Sequence, residues 1–319
     1  MMWMWRTLIR ADMIKGLEDE RDEWKERAKC LEAQLDELRK NRVRLETPWG
    51  VDDSALFNQA KKDQLLQDLD NLVPPQQCLN LNILVTGIIG SGKSSLVNTF
   101  KTVLRNSGEI TNIATTYGQY MDSTTLKLHE ILLKDYPGGK KLRLYDCRGI
   151  CDNAGDIQHD IISVIKGHVQ NGYEFQGNQN IGQNNQLYRA NPTFDQKIHC
   201  VIFVVDAKSI DEIHVDDMKK LAQIRKHIGS ENIPLRLILT KVDELDLYSD
   251  GDLSSVFRSR HAKLKFEAAK VKFALQDNQV RPIANYVTGP NQNLAQDILA
   301  LITVKSIVEE ALVYIGNNT

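Results

Sequence analysis

The chain has 319 residues, of which 42% are hydrophobic and 26% charged, and its formal net charge is −2. That balance suits a soluble globular protein with a sizeable core, and it gives no global bias toward nucleic acid or an acidic membrane. Five scattered cysteines (Cys30, Cys78, Cys147, Cys151, Cys200) fit a reducing compartment better than a disulfide framework, and Cys147 with Cys151 lack the further ligands of a zinc site.

Taken in chain order, MMWMWRTLIR has too short an apolar stretch, and no basic leader, for a signal peptide. No window reaches the roughly 20 apolar residues of a bilayer span. Neither Met2 nor the ending YIGNNT supplies a lipidation signal. The expectation is a cytoplasmic protein without a transmembrane segment.

Residues 5 to about 46 are charge-dense and free of proline. Leu17, Trp24, Leu31, Leu38 and Leu45 recur every seven residues, with Ile14, Arg21, Ala28, Leu35 and Arg42 three before each. In a parallel pair, Glu20 would face Lys25 and Arg27 would face Glu32, both attractive. A parallel dimeric coiled coil over 1–46 is the favoured expectation. A single amphipathic helix folded back on the globular domain is the alternative, and Gly16, Arg21 and Arg42 weaken any dimer.

TPWG at 47–50 ends that helix, and 52–72 predicts a second amphipathic helix carrying Leu56, Phe57, Leu65, Leu66 and Leu69. VPPQQ (73–77) reads as a linker, so 47–78 forms a connecting unit ahead of a domain over 79–319. There, apolar runs at 82–87, 141–146, 199–207, 235–243 and 283–287 alternate with helix-length segments. Such continuous runs predict an α/β fold with a mostly parallel central sheet covered on both faces. The polar stretch 171–197 is an insertion, either functional, mobile or merely incidental. A closing helix begins at Leu294, shows a stripe of Ile298, Leu301, Val304, Val308, Leu312 and Ile315, and should end at Gly316.

Chemistry concentrates in three motifs. Gly87, Gly92, Lys93 and Ser94 satisfy G-x-x-x-x-G-K-[ST], with Gly90 and Ser91 inside the loop and Ser95 just after it. Set between a strand and a helix, this is a P-loop: backbone N–H groups cradle phosphates, Lys93 reaches the β- and γ-phosphates, and Ser94 binds Mg²⁺. Asp146-Cys147-Arg148-Gly149 at a strand end is a D-x-x-G, with Asp146 as a Mg²⁺ partner and the Gly149 N–H as a γ-phosphate sensor. Thr240-Lys241-Val242-Asp243 follows another strand. An aspartate placed as Asp243 pairs with N1 and the 2-amino group of guanine, which adenine cannot match, so GTP or GDP is favoured over ATP. Thr124 or Thr125 is the candidate switch hydroxyl, with Thr115 and Thr116 as alternatives, and a backbone N–H near Ala284 and Asn285 the candidate contact to the guanine oxygen.

GIIGSGKSSLVNTF, DCRG, IKGHVQNGYEF, KIHCVIFVVDAKSI, LTKVDELD, GDLSSVF and IANYV occur in the same order in the interferon-induced protein forty-four family. Over about residues 47–315 the chain resembles that family. The resemblance implies a GTPase-like P-loop domain, a cytoplasmic setting and a role in interferon or antiviral responses. The N-terminal heptads differ from the TLDc-type domain of some members, and the intact TKVD differs from the imperfect guanine motifs of many.

Fast GTP cleavage needs a group that orients water and a cation for the developing charge. Ile150 stands where small GTPases carry glutamine, and Ile88 and Ile89 offer no substitute. Arg148 is the candidate internal finger, an ordinary exposed arginine the alternative. The expectation is a guanine-nucleotide switch with slow hydrolysis or hydrolysis that depends on dimerisation through the G domains, against a coiled-coil scaffold with a structural or idle nucleotide site, or an ATPase.

Overall fold

The computed structural model describes residues 15, 20–36, 44–50, 57–111, 126–151, 157–177, 179–245, 252–287 and 291–318. Strands β1 (Asn80–Gly87), β2 (His129–Tyr136), β3 (Lys140–Asp146), β4 (Cys200–Asp206), β5 (Leu235–Thr240) and β6 (Val280–Pro282) form one sheet, in the order β2-β3-β1-β4-β5-β6. Only the β2–β3 pair is antiparallel.

The central strands are apolar on both sides because both sides are covered. In β4, Val201, Phe203 and Val205 enter one core layer, while Cys200, Ile202 and Val204 enter the other. Residues 20–36 are helical (α1) and exposed throughout. One face of the sheet carries α2 (Gln59–Asn71), α3 (Lys93–Arg105) and α7 (Leu294–Asn318); the other carries α4 (Ile157–Ile165), α5 (Val215–Ser230) and α6 (Arg260–Phe273).

Residues 44–50 are fastened to the α6 side. The buried Trp49 indole donates to the Val256 and Ser259 carbonyls, both at 3.1 Å, and packs on Phe257 and Phe266. Asn58 caps α2 through the Lys61 N–H, and Lys62 of α2 makes a buried ion pair at 2.7 Å with Asp297 of α7. That helix is thus an integral part of the α2–α3–α7 layer.

Three elements differ from the sequence expectation. Residues 283–287 are irregular, and the edge strand is Val280–Pro282. Past Pro282 the backbone turns to α3, where the Tyr286 N–H donates to Thr99 Oγ1 at 2.9 Å. Strand β2 was not anticipated: as an edge strand with a register shift at Leu132/Lys134, its apolar pattern is diluted. The closing helix runs through Gly316 to Asn318, with no left-handed turn at the glycine.

The start of the polar insertion is packed, while most of its other described residues are exposed. Leu128 donates to Tyr173 O and Phe175 donates to Leu126 O, while the Tyr173 hydroxyl reaches Asp160 of α4 at 2.8 Å. Tyr173 and Phe175 are buried.

His199, fully buried at the foot of β4, accepts the Asn82 N–H at Nδ1 (3.0 Å). Its proton therefore sits on Nε2, which donates to Phe194 O at 3.1 Å. Burial holds its pKa down at about 4. The unfolded chain takes up this proton near pH 6.5 and the folded one only near 4, so stability falls as pH drops through that window. The group contributes about 1.4 kcal/mol per pH unit, or ~3 kcal/mol in all. Urea titrations from pH 7 to pH 4 should show this decline. His199→Phe, although less stable overall, should flatten the slope by that amount.

Candidate functional site

The carboxyl ends of β1, β3, β4 and β5 converge on one rim, the usual ligand side of an open parallel sheet. Strand β1 feeds the P-loop past β4, where a Cβ at Gly87 would lie 2.2 Å from Val204 O, so only glycine fits. Gly90 (φ 73°) and Gly92 (φ 85°) are left-handed, and Gly92 is the N-cap from which α3 starts at Lys93. Four-turn helices such as this one present unpaired N–H groups and a positive end to an anion.

Lys93 is buried, and its ammonium donates to Ile88 O at 2.9 Å. Ser94 Oγ donates to Asp146 Oδ2 at 3.0 Å. Burial pushes the Asp146 carboxyl up and the Lys93 ammonium down, and the charge of each opposes the shift of the other. Asp146 Oδ1 and Ser91 Oγ are buried without a hydrogen-bond partner. Hard oxygens from a serine and an aspartate, next to a buried ammonium and unpaired polar atoms, fit a Mg²⁺-bound phosphate chain. Ser95 lies in the first turn of α3, its carbonyl accepting the Thr99 hydroxyl at 2.8 Å.

The D-x-x-G segment is stitched to this loop. Ile150 N–H donates to Gly87 O and Ile89 N–H donates to Ile150 O, each at 2.9 Å. A Cβ on Gly149 would lie 2.7 Å from Lys93 Nζ and 2.9 Å from Ile89 Cα. Ile150 is fully buried, so its place holds core packing. Arg148 Nη1 donates to Phe175 O at 3.1 Å, which ties its guanidinium to the insertion.

The four residues of TKVD divide their work. Thr240 Oγ1 donates to Ser91 O at 2.6 Å, bracing the P-loop. Lys241 is left-handed (φ 58°) and ion-paired with Asp206 at 2.6 Å. Val242 is core, and Asp243 is exposed. Ala284 and Asn285 are buried beside this rim, and Asn285 Nδ2 donates to Gly92 O at 3.1 Å. The sequence marked Asn285 for its backbone; the structure gives its side chain a second job, holding the P-loop. Thr124, Thr125, Thr115 and Thr116 lie outside the described residues. No motif marks Asp206, although the register that pairs it with Thr240 follows from aligning the two apolar runs.

Sheet order, P-loop and motif placement define a P-loop α/β domain of the G-domain type, and residues 77–233 match the Septin family model. The particular relatives are interferon-induced protein 44 of Mus musculus, 30% identical over 230 residues, and that of Homo sapiens, 30% identical over 233. Each alignment covers 72% of this chain, but 54% and 51% of the respective relative. The family resemblance carried by the motifs is thereby borne out, and the chain spans about half the length of the curated relatives it matches. Among solved structures, Toc33 from Arabidopsis thaliana in complex with GDP and Mg²⁺ aligns over 79% of this chain and 91% of its own. Its TM-score is 0.43 at 15% identity, a likeness too distant to carry weight. No described helix is long and apolar enough to cross a membrane.

Proposed function

We propose that the chain is a guanine-nucleotide switch that binds GTP and GDP with Mg²⁺ and hydrolyses GTP slowly. The observation that carries this reading is the common rim of the P-loop, Asp146 and the exposed Asp243, with Thr240 tying the base-side strand to Ser91. Lys93 neutralises phosphate charge, Ser94 and Asp146 would hold Mg²⁺, and Gly149 meets the γ-phosphate. When bound, the metal supplies charge stabilisation to the transferring phosphoryl group. Asp243 selects guanine, Lys241 lies along the ring, and the segment at Ala284 and Asn285 closes the base side. The names of the curated relatives support a role in the interferon response.

Hydrolysis is slow because Ile150 is locked in the core and the Arg148 guanidinium is engaged by Phe175 O. An unassisted GTPase lacking a finger turns over at roughly 10⁻⁴ to 10⁻³ per second. The exposed α1, with Trp24, Leu31 and Leu35 on its surface, supports pairing of two copies as a coiled coil. Single-turnover GTP hydrolysis should therefore be slow and rise with protein concentration. Deleting residues 1–43 should remove that rise and convert a sedimenting dimer into a monomer. GTP bound without turnover at any concentration would favour the second reading, a coiled-coil scaffold with a structural nucleotide. The same number of copies per particle with and without residues 1–43 would reject the coiled coil.

A further inference from the structure

Asp206 ends β4 one strand away from TKVD, and its two carboxylate oxygens are both committed. Oδ1 accepts the Lys208 N–H at 2.8 Å, fixing the carboxylate on its own turn. Oδ2 takes the Lys241 ammonium at 2.6 Å. Asp206 and Thr240 are register partners, and the Ala207 N–H donates to Thr240 O at 3.0 Å, so the two strand ends are fastened at the backbone as well. A second ion pair of opposite polarity, Lys208–Glu244 at 3.1 Å, crosses the same gap farther out.

We propose that Asp206 is a positioning residue, which holds the Lys241 side chain so that its aliphatic stem forms one wall of the purine slot. This rests on the guanine-binding reading. A lysine stem has four rotatable bonds, and a free ammonium would draw it into water. Tethered at its far end by a half-buried carboxylate, the stem is held before the base arrives, so less freedom is lost on binding. The ammonium is neutralised by Asp206, which leaves the phosphate charge to Lys93 and the base edge to Asp243. The outer Lys208–Glu244 pair is solvent-exposed and contributes little by comparison.

The test uses the full chain with Mg²⁺ and three probes: GDP, ADP and inorganic tripolyphosphate, which has no base. Asp206→Ala should weaken GDP binding by about tenfold, and Asp206→Asn, which keeps an acceptor but not the charge, by about threefold. Tripolyphosphate affinity should stay within about twofold in both, as should GDP affinity in Lys208→Ala. Equal loss for GDP and tripolyphosphate would mean that Asp206 merely supports the fold, and would overturn the proposal. So would unchanged GDP affinity in Asp206→Ala, provided that the parent still prefers GDP to ADP. If the parent shows no such preference, the guanine reading itself fails and the lysine-walled slot falls with it. Melting curves of both variants identify any loss that comes from unfolding.

Discussion

Replacing Lys93 by alanine is expected to weaken GDP and GTP binding by at least about a hundredfold, the loss that follows from removing one partner of a buried charge contact, ~3 kcal/mol or more. The ammonium is buried, faces Asp146 across the loop and donates to Ile88 O at 2.9 Å. A phosphate chain replaces that carbonyl with a full negative charge, so the hydrogen bond becomes charge-assisted on both sides. The variant loses the charge that opposes the desolvation of Asp146, whose carboxyl keeps its Ser94 bond and can protonate, so a lower melting temperature with the fold retained is expected. Calorimetric titration checks the affinity and a melting curve the fold. Unchanged affinity would refute the P-loop assignment.

The second large effect is on stability. Asp297→Ala should cost about 3–5 kcal/mol, the range for removing one partner of a buried ion pair. Asp297 is almost fully buried in α7; it takes Lys62 of α2 on one oxygen at 2.7 Å and the Tyr286 hydroxyl on the other at 2.8 Å. Alanine strands the buried ammonium and leaves that hydroxyl with Asn293 as its remaining partner. At about 2–4 °C per kcal/mol for a chain of this order of size, the melting temperature should fall by roughly 6–20 °C. Part of the loss should be felt at the site, because the backbone of Tyr286 is bonded to Thr99 of α3 and its neighbour Asn285 holds Gly92. Lys62→Met, which removes the other charge with apolar volume kept, should restore part of the stability in the double variant. A fall of under 1 kcal/mol in chemical denaturation would contradict the account.

What could be read from the chain beforehand follows from the kind of interaction involved. The P-loop, Asp146, Gly149 and TKVD are legible because glycine sterics, helix start and strand ends are local, and β1, β4 and β5 read as mainly apolar runs, with β3 marked by its alternating Leu142 and Leu144. The edge strand β2 is not, since only three of its eight residues are buried and a register shift blurs the alternation. Nor was the end of the sheet at β6: IANYV has the composition of a strand, but its backbone is taken by α3. The side-chain roles of Asp206 and Asn285 were hidden for another reason. Each depends on a contact between residues 35 and 193 positions apart, which only the folded sheet brings together.

Recognition of the base decides the function of this site. The most direct test is titration of the purified full chain, in Mg²⁺, with GDP and with ADP at equal concentrations. A site in which Asp243 pairs with the guanine edge should bind GDP at least about a thousandfold more tightly than ADP, because adenine leaves that carboxylate unpaired. Equal affinity for the two, or a preference for ADP, would contradict it.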